Sequence, residues 1–157
     1  MITITKLCDR YLEQVKRVQI EQDQIEFAGT ASEFLEEICD TTHLHVIKHQ
    51  KEVIGYFKLD LAYAKKYDFC PEDGVGIRAF VIDKNQQGKG YGKQAVAVLF
   101  SFVKAFYPQF NQIYLTVNCR NSLAYECYKK AGFTDTGEKY LGSPAGPNYI
   151  MQGSLID

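Results

Sequence analysis

The sequence predicts an α/β domain built on one mixed sheet, and three observations lead there. Its 157 residues suit one domain, with no internal repeat and no linker to suggest a second. Period-2 apolar segments alternate with period-3.6 segments in the order β-α-α-β-β-β-α-β-α-β-β. The 46% hydrophobic fraction supports a core, and 24% charged residues exclude a disordered or fibrous chain.

Ile2 and Ile4 alternate with Thr3 and Thr5, which reads as a first strand. Residues 10–20 place Leu12, Val15 and Val18 at helical spacing. Thr30 or Ser32 suits the cap of a second helix that carries Phe34, Leu35 and Ile38 on one face. Residues 43–48 and 53–61 read as strands of a hairpin that turns at residues 49–52. Residues 62–74 are polar and end in the turn signal Pro71-Glu72-Asp73-Gly74. An apolar strand follows at residues 76–83. A glycine- and amide-rich stretch then opens a long helix to about Phe106, apolar around most of its circumference. Residues 112–117 form the next strand, and 121–131 a helix stopped by Gly132. Strands at about 136–141 and 149–155 flank the loop from Gly142 to Pro147.

The longest uninterrupted apolar run, Ala95 to Phe100, is six residues, whereas a membrane helix needs about twenty. The N-terminus lacks the basic and apolar regions of an export signal. Cys8, Cys39, Cys70, Cys119 and Cys127 form no C-x-x-C pair, so small buried thiols in a reducing cytoplasm are expected. His43 and His45 share a strand face without a third ligand at suitable spacing, and no metal site is expected. A net charge of −1 argues against nucleic acid as a partner. That average conceals an acidic stretch: residues 18–47 hold seven carboxylates and no Lys or Arg. Glu33, Glu36 and Glu37 read equally well as the solvated face of a helix, whereas Glu21, Asp23 and Glu26 are the better functional candidates.

The densest chemical signal runs from Phe80 to Lys93, where a strand ends, glycines follow and a long helix begins. Glycine lets an anion approach the backbone without meeting a Cβ, and the free N–H groups of a helix start point at it. A phosphate or pyrophosphate is the expected ligand. A Walker loop fails, because Gln87 stands where its first glycine belongs and Gln94 follows Lys93. A dinucleotide fingerprint is matched only loosely, by Gly90-x-Gly92-x-x-Ala95, and is weak because no acid ends the strand at residues 112–117.

Gln87-x-x-Gly90-x-Gly92 resembles the Q/R-x-x-G-x-G/A motif of the GNAT superfamily of N-acetyltransferases. Asn121-x-x-Ala124-x-x-x-Tyr128-x-x-x-Gly132-Phe133 is similar to that family's second signature. The resemblance implies a single-domain fold with a mostly antiparallel sheet of about seven strands, splayed between strands 4 and 5 and flanked by about four helices. It implies acetyl-CoA as cosubstrate, with its pantetheine arm in that gap. The backbone of Phe80 and Ile82 would bond the arm and the acetyl oxygen, and an N–H of Phe80 or Val81 would face developing negative charge. Backbone amides of Gln87, Gly88, Lys89, Gly90, Tyr91, Gly92 and Lys93 would hold the pyrophosphate. Asn121 matches the asparagine that reaches the arm, and it also suits a helix N-cap.

Tyr128 matches the tyrosine that points at the coenzyme sulfur. A phenol with pKa near 10 can protonate a thiolate whose reference value is near 8.5. The general base stays open among Asp60, Glu21, Glu26 and ordered water. The resemblance also implies that the first two helices and their connection, here the acidic stretch, line the acceptor entrance, where carboxylates would attract a cationic amine. Gln24-Ile-Glu-Phe27 with Ile77–Asp83 looks like the bacterial spermine/spermidine branch. Glu21, Glu26 and Asp60 are thus the candidate contacts to a small-molecule amine acceptor such as a polyamine. A protein N-terminal or lysine acetyltransferase and a non-enzymatic acyl-CoA-binding module are the competing readings. A homodimer is expected from the family.

Overall fold

A computed structural model describes residues 1–156, with positions 23 and 26 described through their backbone alone. The strands are β1 (Ile2–Lys6), β2 (Thr42–His49), β3 (Glu52–Asp60), β4 (Gly74–Ile82), β5 (Gln112–Asn118), β6 (Thr134–Tyr140) and β7 (Asn148–Ser154). The helices are α1 (Leu12–Arg17), α2 (Gln22–Ala28), α3 (Ala31–Glu36), α4 (Tyr63–Lys66), α5 (Tyr91–Phe106) and α6 (Ser122–Ala131).

The strands form one sheet in the order β1-β2-β3-β4-β5-β7-β6. Every pairing is antiparallel except β4 with β5. That parallel pairing covers only Gly74–Gly76 against Gln112–Tyr114, and beyond it the two strands part. The expected splay is therefore present. Its far side coincides with a local distortion: Ala79 adopts φ +53° and the β3–β4 register shifts between Tyr56 and Lys58. A bulge of this kind re-aims the backbone groups of its strand.

Alternation of side chains makes two cores, one on each sheet face. Val15, Val18 and Phe34 pack over Leu44, Val46, Val53, Tyr56 and Val81. On the other face Leu99 and Val103 of α5 meet Ile47, Ile54, Phe57, Ile113 and Met151. Each such fully buried side chain contributes about 1.5–3 kcal/mol.

Several elements differ from expectation. The first helix stops at Arg17, because Val18 turns extended and the Gln19 carbonyl accepts a hydrogen bond from Lys84 N–H at 2.8 Å. A tertiary contact thus ends what the apolar spacing alone would continue. Between the two expected helices lies α2, which Gly29 stops at φ +76°. The polar segment after β3 contains α4, whose start is fixed by Asp60 Oδ1 accepting from Ala62 N–H. Thr30 caps α3 through a reciprocal bond with Glu33, as the sequence suggested, but Ile38 lies beyond the helix end and is exposed. Phe106 is likewise exposed, on the last turn of α5. Of the cysteines only Cys70 is buried, while Cys8 and Cys39 are exposed.

Among the described residues, no helix is long and apolar enough to cross a membrane, and no cluster of three or more His, Cys, Asp or Glu could hold a metal ion.

Candidate active site

The end of β4 and the start of α5 are joined by a turn that is built, not merely permitted. Asp83 accepts from Asn85 N–H at 2.9 Å, and Gln87 Nε2 donates to the Ile82 carbonyl at 3.0 Å. Gly88 and Gly90 stand at φ +80° and +81°, a conformation that side chains with a Cβ rarely adopt. A Cβ on Gly88 would meet nothing within 4 Å, so the space beside the turn is open. Gly90 caps α5 without a side-chain acceptor, and the first-turn N–H groups have no intrahelical carbonyl to bond. An anion fits this cradle on both geometric and electrostatic grounds.

The turn lines a cavity of about 490 Å³ that continues past Phe80, Val81 and Ile82 toward Asn121 and Tyr128. Gln87, Gly88, Gly90, Tyr91, Gly92 and Lys93 all border it. Lys89 does not; its ammonium turns to Gln86 Oε1 at 3.2 Å. A second cavity, of about 450 Å³, lies on the opposite side of the same junction. Gln24, Ala28, Phe80, Asn121, Ala124 and Tyr128 border both.

Tyr128 is held at that junction by edge-on contacts with Phe80 at 5.9 Å and Phe133 at 5.7 Å. Burial, with a smaller contribution from Cys127, pushes its phenol well above the ordinary value, so the hydroxyl keeps its proton at neutral pH. Asn121 caps α6 through Ala124 N–H at 3.4 Å, which places its amide at the mouth of the β4–β5 gap.

The second cavity carries charges that the sequence reading placed elsewhere. Glu33 and Glu37 line it from α3 and the residue beyond, and Lys58 and Arg78 line it from β3 and β4. Glu37 accepts from Lys58 Nζ at 2.8 Å and from Arg78 Nη2 at 3.0 Å. Burial alone would raise the Glu37 pKa, but the Lys58 hydrogen bond and the charges of both cations outweigh it and hold it below the usual carboxylate value. Glu37, with 45% of its side chain exposed, thus does more than solvate the end of α3. The signal for it was Lys58 and Arg78, two cations inside otherwise apolar strands. Tyr63 and Tyr67 add an aromatic wall, with ring centroids 4.5 Å apart.

The acidic candidates fall in different places. Asp60 is fully buried behind Arg78, bonded to Lys66 Nζ at 2.8 Å and paired with Arg78 Nε at 3.2 Å, and it does not border the cavity. Glu21 borders the first cavity, on the glycine-turn side. The side chain of Glu26 lies outside the described residues.

The acetyltransferase (GNAT) family profile matches residues 6–133. An uncharacterized N-acetyltransferase of Bacillus subtilis (strain 168), YbbJ, is 41% identical over 68 residues, which is 43% of this chain and 42% of that protein. A protein of Bacillus subtilis subsp. natto named probable spermine N(1)-acetyltransferase is 28% identical over 144 residues, covering 87% of this chain and 90% of that one. Among solved structures, the aminoglycoside acetyltransferase AAC(6')-Ib in complex with coenzyme A superposes with a TM-score of 0.77 at 20% identity, covering 98% of this chain and 95% of that one. The last likeness speaks to the fold alone. With the family profile spanning both the glycine turn and the Tyr128 helix, the chain belongs to the GNAT family of acetyltransferases.

Proposed function

We propose that this protein moves the acetyl group of acetyl-CoA by direct attack to the primary amine of a small molecule. The observation that carries this reading is the meeting of two cavities over Phe80 and Tyr128, one walled by the anion cradle and the other by polar side chains. Acetyl-CoA supplies an activated thioester. Amides of Gln87, Gly88, Gly90, Tyr91, Gly92 and Lys93 hold its diphosphate, with about 0.3–1 kcal/mol per charge from the helix terminus. The backbone of Phe80 and Ile82 along the β4–β5 gap, together with Asn121, holds the pantetheine arm, the Ile82 carbonyl also accepting from Gln87 Nε2. An N–H at Phe80 or Val81 faces the carbonyl oxygen as charge develops on it. Tyr128 donates its proton to the departing sulfur. The acceptor ammonium loses its proton before it attacks; no carboxylate appears among the described residues that border both cavities, and the base stays open among Glu21, Glu26 and ordered water.

A cationic acceptor of the polyamine type is supported by the name of the 28% identical relative and by Glu33, which lines the acceptor cavity. Its carboxylate bonds to Thr30 and no described cation pairs with it. The test is acetyl-CoA consumption against polyamines, aminoglycosides, amino acids and short peptides. Turnover with spermidine is the expected result. Turnover with peptides alone would move the protein to the class of protein acetyltransferases.

A further inference from the structure

Gln24 stands on α2 where the two cavities join, and the chemistry above makes no use of it. Its amide is paired with Asn121, a residue 97 positions away. Asn121 Nδ2 donates to Gln24 Oε1 at 3.0 Å, and Gln24 Nε2 donates to Asn121 Oδ1 at 3.4 Å. Asn121 Oδ1 also accepts from Ala124 N–H as the cap of α6. Both ends of the Asn121 amide are therefore engaged within the protein. The pair ties α2 to the start of α6 across the mouth of the β4–β5 gap, with Phe80 and Tyr128 bordering the same junction.

Resting on the proposed acetyl-CoA reading, we infer that Gln24 is a positioning residue that latches Asn121 over the junction until the cosubstrate arm takes its place. The amide-bearing arm offers Asn121 the same donor and acceptor that Gln24 offers. Binding then exchanges one pair of neutral hydrogen bonds for another. The latched arrangement does not bind, so the apparent affinity for coenzyme is reduced by the fraction of molecules that are unlatched. Removing the latch raises that fraction. One neutral hydrogen bond, here the 3.0 Å bond from Asn121 Nδ2, accounts for about a two- to tenfold change.

The sign separates this role from a merely structural one, in which loss of the Gln24 bonds loosens α2 and weakens binding or leaves it unchanged. Gln24→Leu removes both bonds and keeps most of the packing volume, and Gln24→Ala serves as a second variant. Asn121→Ser retains an N-cap oxygen too short to reach Gln24. Coenzyme A titrated calorimetrically into each protein is expected to bind Gln24→Leu and Gln24→Ala about two- to tenfold more tightly than the wild type. In the Asn121→Ser background the same Gln24 substitutions should change nothing. Equal or weaker binding by the Gln24 variants overturns the latch while leaving the acetyltransferase reading in place. Failure of every protein, wild type included, to bind coenzyme A overturns both.

Discussion

Glu33 and Glu37 lie one helical turn apart and border the same cavity, yet their electrical situations are opposite. Glu37 is compensated twice, by a nearly buried Lys58 and by Arg78. Replacing it removes the partner of an ammonium that has only 5% of its side chain exposed. Glu37→Gln should therefore act on the fold, lowering stability by about 1–3 kcal/mol in urea unfolding. Glu33 attracts without compensation from a described cation, so Glu33→Gln should act on the substrate. Its KM for spermidine should rise up to about fivefold at unchanged kcat, the range of a partly exposed charge pair. An equal effect on a neutral-bodied monoamine would remove charge attraction as the cause. Tyr128 differs from both because, in the proposed reaction, it acts only as the sulfur departs. Tyr128→Phe should lower kcat about 100-fold or more while coenzyme A binds within twofold of the wild type. An unchanged kcat in steady-state assays would take the phenol out of the reaction.

At the scale of elements, the β4–α5 turn owes its shape to backbone conformation, not to packing. Gly88 has φ +80° and open space where a Cβ would stand. Gly88→Ala should cost about 1 kcal/mol through strain alone. It should weaken coenzyme A binding by more than that strain implies, since the methyl enters the space where the anion approaches the amides. Calorimetric titration beside thermal unfolding separates the two effects, and a loss of stability with intact affinity would place the diphosphate elsewhere. This turn was legible in the sequence because glycine spacing encodes φ directly. The short helices were not. Nothing near α4 marks a helix start until Asp60 bonds Ala62, and α1 ends at Arg17 because Lys84, distant in sequence, takes the Gln19 carbonyl. Local periodicity carries no information about either contact.

Across the whole molecule, what escaped the sequence is compensation between distant elements. The chain Lys58, Glu37, Arg78, Asp60, Lys66 alternates in sign and draws on β3, the end of α3, β4 and α4. Counting charges along residues 18–47 made the acceptor entrance look uniformly acidic, whereas folding brings cations of the strands against one of those carboxylates. The same global burial sets a pH limit on stability through His45. That side chain is fully buried on β2, stacked on Phe57 at 5.1 Å, with Nδ1–H donating to the His43 carbonyl at 3.1 Å. Burial is the main cause that lowers its pKa from 6.5 to about 4; the His43 carbonyl opposes this, and the charges of His43 and Lys6 add to it. The unfolded chain thus binds a proton near pH 6.5 that the folded chain refuses until about pH 4. Stability from this group is complete above pH 6.5 and is lost as pH falls toward 4, by a total of about 3 kcal/mol. His45→Gln keeps a donor for the His43 carbonyl and removes the titration. Urea unfolding at pH 7 and pH 4.5 should show the wild type losing more stability than the variant, because the carboxylates common to both proteins titrate alike. Equal losses would mean that His45 accepts its proton without leaving the core.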